Sequence, residues 1–293
     1  MEREKGTMPA VSGFLKLDNR YIVTCTLTPT AALHVGGGVV SGKTDAPFFE
    51  DHKGPLIPGS TLRGVMRSRL ERVLQAIGGD RGCVLFTDDQ EIECRTHPTC
   101  FTVNGKLLEK FKKDHATKPS AERERLLEQK LLEGNGLCDI CRLFGSPLLG
   151  SKLRISDARP DDAKRQVRDG VGIDRDTETA REHIKYDFEA LDSTGFLLRT
   201  EIENATANDL ALLAILFQEM REPGIDVGGK KSRGLGRCRL TGPLTVKGFS
   251  GREELMRFLT SGLETPVPNF AAKLTNSLNT YLGVNDHAAP NKK

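Results

Sequence analysis

The chain has no tryptophan and only three tyrosines, and aromatic residues make up 5% of it. Such scarcity argues against a surface that stacks nucleobases on aromatic rings. Long apolar runs are missing too. The longest, Leu210 to Phe217, is far too short to cross a bilayer, so no membrane partner is expected. Neither sign of charge dominates: 43 Lys+Arg stand against 40 Asp+Glu, a formal net charge of +3. A sum near zero neither demands nor excludes a polyanionic partner, because opposite charges can be segregated on a surface. What is present excludes disorder, since 37% of the 293 residues are hydrophobic. That length suits one elaborated domain or two small ones, each able to bury a core.

No apolar segment follows Met1-Glu2-Arg3-Glu4-Lys5, so a signal peptide is not expected and the cytoplasm is the expected compartment. The cysteine count, seven, is odd, which argues against a disulfide framework. Cys25 and Cys238 sit in strand-like runs and read as small core residues. The other five fall between 83 and 141. Cys138-Asp-Ile-Cys141 has the spacing that grips one tetrahedral metal ion, and Cys94 and Cys100 form a second pair. Four thiolates suit a structural Zn²⁺. His97 can replace Cys94 or Cys100, and Cys83 is the spare. Zinc would explain how a polar insertion with little core of its own folds.

The β-branched run 21–30 predicts a strand. A Gly- and Pro-bearing loop over about 34–59 follows, and Ser60 reads as the N-cap of a helix from Thr61 to about Ile77. Residues 80–150 read as an insertion with a charged helix over about 120–133. A short strand is expected over 153–157, a polar, core-poor stretch over 158–190, and a strand ending at Glu203. An apolar helix over about 208–220 and a strand over 235–246 complete the series. Strand, helix, strand, strand, helix, strand is the order of an α+β, ferredoxin-like split βαβ fold. The expected division is 15–79 and 151–250 for the core, 80–150 for the zinc-binding insertion, and 251–293 for a C-terminal helical segment and tail.

Two segments invite a phosphate. Gly37 to Thr44 matches G-x-x-x-x-G-K-[ST], but Pro47, Pro55 and Pro58 leave no helix to open at Lys43-Thr44, so a phosphate-loop NTPase is the weaker reading. Gly228 to Arg239 carries five cations and no acid. Its glycines allow close backbone approach, and its charge suits a nucleic-acid backbone. The first helix adds Arg63, Arg67, Arg69 and Arg72 against Glu71 alone.

Four segments in order, Leu33–Gly37, Pro55–Gly64, Cys138–Gly145 and Gly228–Gly236, resemble the RAMP superfamily. Within it they resemble the repeating backbone subunit (the seventh Cas family) of type III CRISPR RNA-guided complexes. The resemblance spans about 20–245 and implies an RRM-like βαββαβ core that polymerises along a CRISPR RNA. It implies that Ser60, Arg63, Arg67 and the loop Gly229-Lys230-Lys231-Ser232-Arg233-Gly234 hold that RNA. A protruding thumb hairpin, about 158–192, would place Ile173 and Arg175 at a kink in the guide–target duplex. Asp45 matches the loop Asp of subunits that cut target RNA with Mg²⁺ or Mn²⁺, and Asp51 is a second carboxylate in that loop. Other readings are a non-cleaving subunit and a guide-processing RNase, for which His34 is the nearest general base; a packed histidine is favoured. The implied partners are CRISPR RNA, complementary target RNA, copies of the chain or related RAMP subunits, and other CRISPR-associated proteins.

Overall fold

The computed structural model describes residues 16–38, 44–78, 82–83, 105–132, 137–146 and 148–284. The elements begin with β1 (Asn19–Pro29), the short ribbon β2 (Glu50–Asp51) and β3 (Gly54–Pro55), and α1 (Gly59–Ile77). Then come α2 (Gly105–Asp114), α3 (Ser120–Leu132), α4 (Asp139–Phe144) and β4 (Leu153–Ile155). A long hairpin follows, β5 (Lys164–Ile173) and β6 (Ala180–Asp192), then β7 (Phe196–Glu203) and α5 (Ala207–Arg221). The chain ends with β8 (Ile225–Asp226), a 3₁₀ turn (Lys231–Arg233), β9 (Arg237–Ser250), α6 (Arg252–Ser261), β10 (Thr265–Pro266) and α7 (Phe270–Leu282). No helix among the described residues is long and apolar enough to cross a membrane.

The architecture is mixed α+β around one antiparallel sheet, with strands in the order β10-β9-β1-β7-β4 and β8 added to β9. Period-two alternation sends Tyr21, Val23, Cys25 and Leu27 of β1 inward, with Phe196, Leu198 and Ile202 of β7. Leu62, Met66, Leu70 and Leu74 form the four-residue stripe by which α1 joins that core, and nearly every apolar side chain of α5 is buried with them. Helix α7 packs on α5, and its Phe270 ring meets Tyr21 at 5.2 Å. The buried thiols of Cys25 and Cys238 are pushed up to about 12 by desolvation, as befits inert core residues.

Helix α1 corrects one expectation. It begins at Gly59, the cap position is Pro58, and Ser60 lies exposed within the first turn with no capping bond. The capping carboxylate comes from far away: the Gly59 N–H donates to Asp157 Oδ1 at 2.8 Å. A Cβ at position 59 would lie 2.2 Å from the Ile155 carbonyl oxygen, so only glycine lets the helix start this close to the end of β4.

The insertion also differs from expectation. Its described ends are not core-poor, because Cys83 near its start and Leu131, Leu137, Ile140, Cys141, Leu143 and Phe144 toward its close belong to the main hydrophobic cluster. Lys152, just beyond it, pairs with Asp209 at 2.8 Å, both nearly buried. The Thr206 N–H and hydroxyl donate to that same Asp209 carboxylate.

The sheet face away from α1 and α5 is largely polar. Its β1 and β7 positions are Arg20, Ile22, Thr24, Thr26, Thr28, Leu197, Arg199, Glu201 and Glu203, and an aromatic ring beside them, Phe249 of β9, is buried beneath the Arg20 guanidinium and against Phe258 of α6. Arg20, Arg154 and Arg199 share the Glu201 and Glu203 carboxylates. That lattice is not the aromatic platform by which an RRM sheet stacks bases.

Candidate functional site

Three segments distant in sequence meet at the base of the β5–β6 hairpin. Leu33 of the β1–α1 loop exchanges backbone hydrogen bonds with Leu191 of β6 at 2.8 and 2.9 Å. Farther along the same loop, the Glu189 N–H donates to the Ala46 carbonyl at 2.9 Å. The Gly229 N–H donates to the His34 carbonyl at 2.8 Å, and the Gly236 N–H to that of Ala32 at 3.0 Å. Gly228 has φ +85°, and a Cβ there would sit 2.2 Å from the His34 oxygen, so the glycine is what allows this close approach. Ala32, Phe188, Ala190 and Leu235 form a small separate core beneath the junction.

Asp45 sits exposed at its rim. Its N–H donates to Asp187 Oδ1 at 2.7 Å, and the Asp187 N–H donates back to Asp45 Oδ2 at 3.0 Å. Each carboxylate therefore commits one oxygen to the other's backbone. Asp51 behaves differently: both its oxygens bind the Arg159 guanidinium, at 3.1 and 2.5 Å, and one also accepts from the Lys53 N–H. Hydrogen bonding from Arg159 first, then from Lys53, holds its pKa down to about 2. Asp51 is a tie between the β2–β3 ribbon and the chain entering the hairpin, not a second site carboxylate. His34 is buried, and its Nδ1 lies 2.7 Å from the Glu189 carbonyl oxygen. A carbonyl only accepts, so Nδ1 carries the proton. The ring packs edge-on against Phe188, as the favoured reading expected.

The Gly-rich loop brings its cations to this rim. Lys230 Nζ lies 4.3 Å from the Phe188 ring centre and 4.6 Å from that of Tyr186, and the Arg233 guanidinium is 5.5 Å from Tyr186. Lys231, Ser232, Arg233 and Gly234 are exposed. Ile173, 65% exposed, ends β5, and Arg175 is exposed in the tip, where Asp174 Oδ1 accepts from the Asp176 and Thr177 N–H groups.

Arg63 and Arg67 are turned inward. Arg63 donates to the Phe144 carbonyl, lies over that ring, and has its pKa lowered by desolvation. Arg67 donates to Glu71 at 2.9 Å, to the Gly145 carbonyl at 3.2 Å and to Cys141 Sγ at 3.3 Å. The sequence showed their charge but not their direction.

The cysteine cluster is Cys83, Cys138 and Cys141, all buried, with sulfurs within 4.8 Å of one another. Cys83, set aside on spacing grounds, is thus brought to the Cys-x-x-Cys pair. Cys94, Cys100 and His97 lie outside the described residues. The donor set fits a thiophilic ion. The Cys141 N–H points at Cys138 Sγ at 3.3 Å, and the Arg67 guanidinium at Cys141 Sγ, both of which favour thiolates. Among the described residues this is the only group of three or more His, Cys, Asp or Glu ligands in such a cluster.

Sequence reasoning missed Tyr186, Phe188 and Asp187. Their signal was an alternation, Lys185-Tyr186-Asp187-Phe188-Glu189, in a stretch read as polar.

The RAMP superfamily model matches residues 26–239. That interval runs from β1 into β9 and takes in all three converging segments. The chain belongs to the RAMP superfamily, whose members have a CRISPR-associated, RNA-binding role. No curated protein matches it.

Proposed function

We propose that this chain is the CRISPR-RNA-binding backbone subunit of a type III effector complex, of the seventh Cas family, and that it cuts target RNA at Asp45. The observation that carries the reading is the junction itself. A loop carboxylate, a Gly-rich cationic loop and the root of an exposed hairpin are hydrogen-bonded into one rim. The strand order β9-β1-β7-β4 supports a ferredoxin-like βαββαβ core, with the insertion and the hairpin as its two elaborations. The hairpin acts as the thumb: Ile173 and Arg175 at its end enter the duplex and splay a nucleotide. Copies of the chain, related RAMP subunits and other CRISPR-associated proteins line up along the guide RNA.

Cys83, Cys138, Cys141 and a fourth ligand would hold Zn²⁺, which would tie the start of the insertion to its closing helix, while Arg67 joins Cys141 to α1. Asp45 would help hold a Mg²⁺ or Mn²⁺, which would supply charge neutralisation at the transferring phosphoryl group. Asp187 fixes the orientation of Asp45 through the paired backbone bonds, and the Lys230 and Arg233 side chains hold the RNA backbone beside it. The ribose 2′-oxygen attacks the adjacent phosphorus and the P–O5′ bond breaks. The 2′-hydroxyl proton passes to solvent, and the departing oxygen takes one from water.

A non-cleaving backbone subunit is the second reading. It is favoured by the absence of a three-ligand carboxylate or histidine cluster at Asp45 among the described residues. Guide processing through His34 is disfavoured by its burial and its bond to Glu189. The assembled complex, given matched guide and labelled target RNA with Mg²⁺, separates them. Asp45→Ala is expected to abolish regularly spaced cuts while leaving RNA binding intact, and unchanged cleavage removes the assignment.

A further inference from the structure

A cleft of about 220 Å³ lies between the outer face of α1 and the turn before and along β8. Its α1 wall is Gly64, Val65, Ser68, Arg69 and Arg72, and its other wall is Gly224, Ile225, Asp226 and Lys231. Gly64, Ser68 and Arg72 stand four residues apart, so they form one exposed stripe along the helix. At Gly64 nothing lies within 4 Å of where a Cβ would be, which leaves the mouth open.

The charges in the cleft do not cancel. Arg69 pairs with Glu219 at 2.5 Å, and Asp226 with Arg237 at 2.9 Å. Arg72 and Lys231 enter no ion pair among the described residues. Two cations on facing walls and a hydroxyl, lining an open cleft of this size, suit one phosphodiester. The Gly-rich loop joins this cleft to the hairpin junction. Lys230, in the left-handed region at φ 57°, lies on Tyr186 and Phe188, while the next residue, Lys231, lines the cleft.

We infer that this cleft is a phosphate-binding subsite of the RNA groove, with Arg72, Lys231 and Ser68 as the residues that hold the phosphate. The inference rests on the RNA-binding reading above and moves the helix's share of the groove from Arg63 and Arg67 to the Ser68–Arg72 face. RNA crossing the loop meets Lys230 on one side and Lys231 on the other, in successive backbone positions.

Fluorescence anisotropy with labelled single-stranded RNA, titrated with the full chain at several salt concentrations, tests it. Arg72→Gln with Lys231→Gln is expected to weaken binding about tenfold or more. The salt slope should fall by about 0.7 for each phosphate that is no longer neutralised, equally for two unrelated RNA sequences. Ser68→Glu, which puts an anion in the cleft, should weaken binding similarly, while Arg72→Lys should keep most of the affinity. All three positions are exposed, and circular dichroism verifies that the variants fold. Wild-type binding with unchanged affinity and slope in the double variant overturns the cleft alone. No binding by the folded wild type overturns the RNA reading itself, and the subsite with it.

Discussion

The insertion and the hairpin both interrupt the sheet-and-helix core, and they are attached to it by different forces. The insertion closes through α4, whose Ile140, Leu143 and Phe144 are wholly buried in the main cluster, with the three thiols beside them. The hairpin sends most of its side chains to solvent. It is held at its root by backbone hydrogen bonds, by a small cluster of Ala32, Phe188, Ala190 and Leu235, and by cation–ring contacts. Apolar burial is worth about 25 cal/mol per Å² and makes its region part of one cooperative unit. A few polar contacts hold a segment in place without joining it to that unit. The insertion is therefore a structural component, and the hairpin an arm whose seat is also the candidate site.

The largest effect should come from the insertion. Phe144→Ala is expected to lower global stability by about 3–5 kcal/mol, seen as a shift of the whole denaturant transition. A separate early transition confined to 105–144 would show that the insertion is an independent module and break the comparison. A smaller, local effect is expected at the hairpin. Lys230→Met removes the cation from the Tyr186 and Phe188 faces, worth about 0.5–2 kcal/mol. Hydrogen-exchange protection should fall in 185–191 with little movement of the global midpoint; an equal loss everywhere would place the hairpin within the core's cooperative unit.

The smallest effect concerns acid. Asp51 has its pKa lowered from 3.8 to about 2, chiefly by Arg159. A depressed carboxylate stabilises the fold fully above its unfolded value and loses that contribution as pH falls through the folded one. The stability difference between wild type and Asp51→Asn should thus be constant above about pH 4 and fade toward pH 2. A difference that persists at pH 2 would contradict the ion-pair account.

The regular elements were legible because their periods are strong. The alternation in β1, the four-residue stripe in α1 and the nearly continuous apolar run of α5 located each to within about two residues. What could not be read from local pattern came from contacts across the chain. The cap of α1 is supplied by Asp157, so Ser60 carried a good cap identity in a position that did not need it. Cys83 joins Cys138 and Cys141 through the fold, whereas spacing alone pointed to Cys94 and Cys100. Arg63 and Arg67 lie one step round the helix from the buried Leu62 and Met66, a flank that α4 covers; Ser68 and Arg72 lie farther round and stay exposed. Asp45 was located by its loop, but its backbone partner Asp187 lies 142 residues away.

On the proposed reading, RNA runs over the junction and the Gly-rich loop, not over the open face of the sheet. Photocrosslinking of a guide RNA to the full chain, with the crosslinked peptides identified by mass spectrometry, tests it most directly. Crosslinks are expected at Tyr186, at Lys230–Arg233 and along the Ser68–Arg72 stripe. Crosslinks confined to Arg20, Arg154 and Arg199 on the sheet would contradict the account.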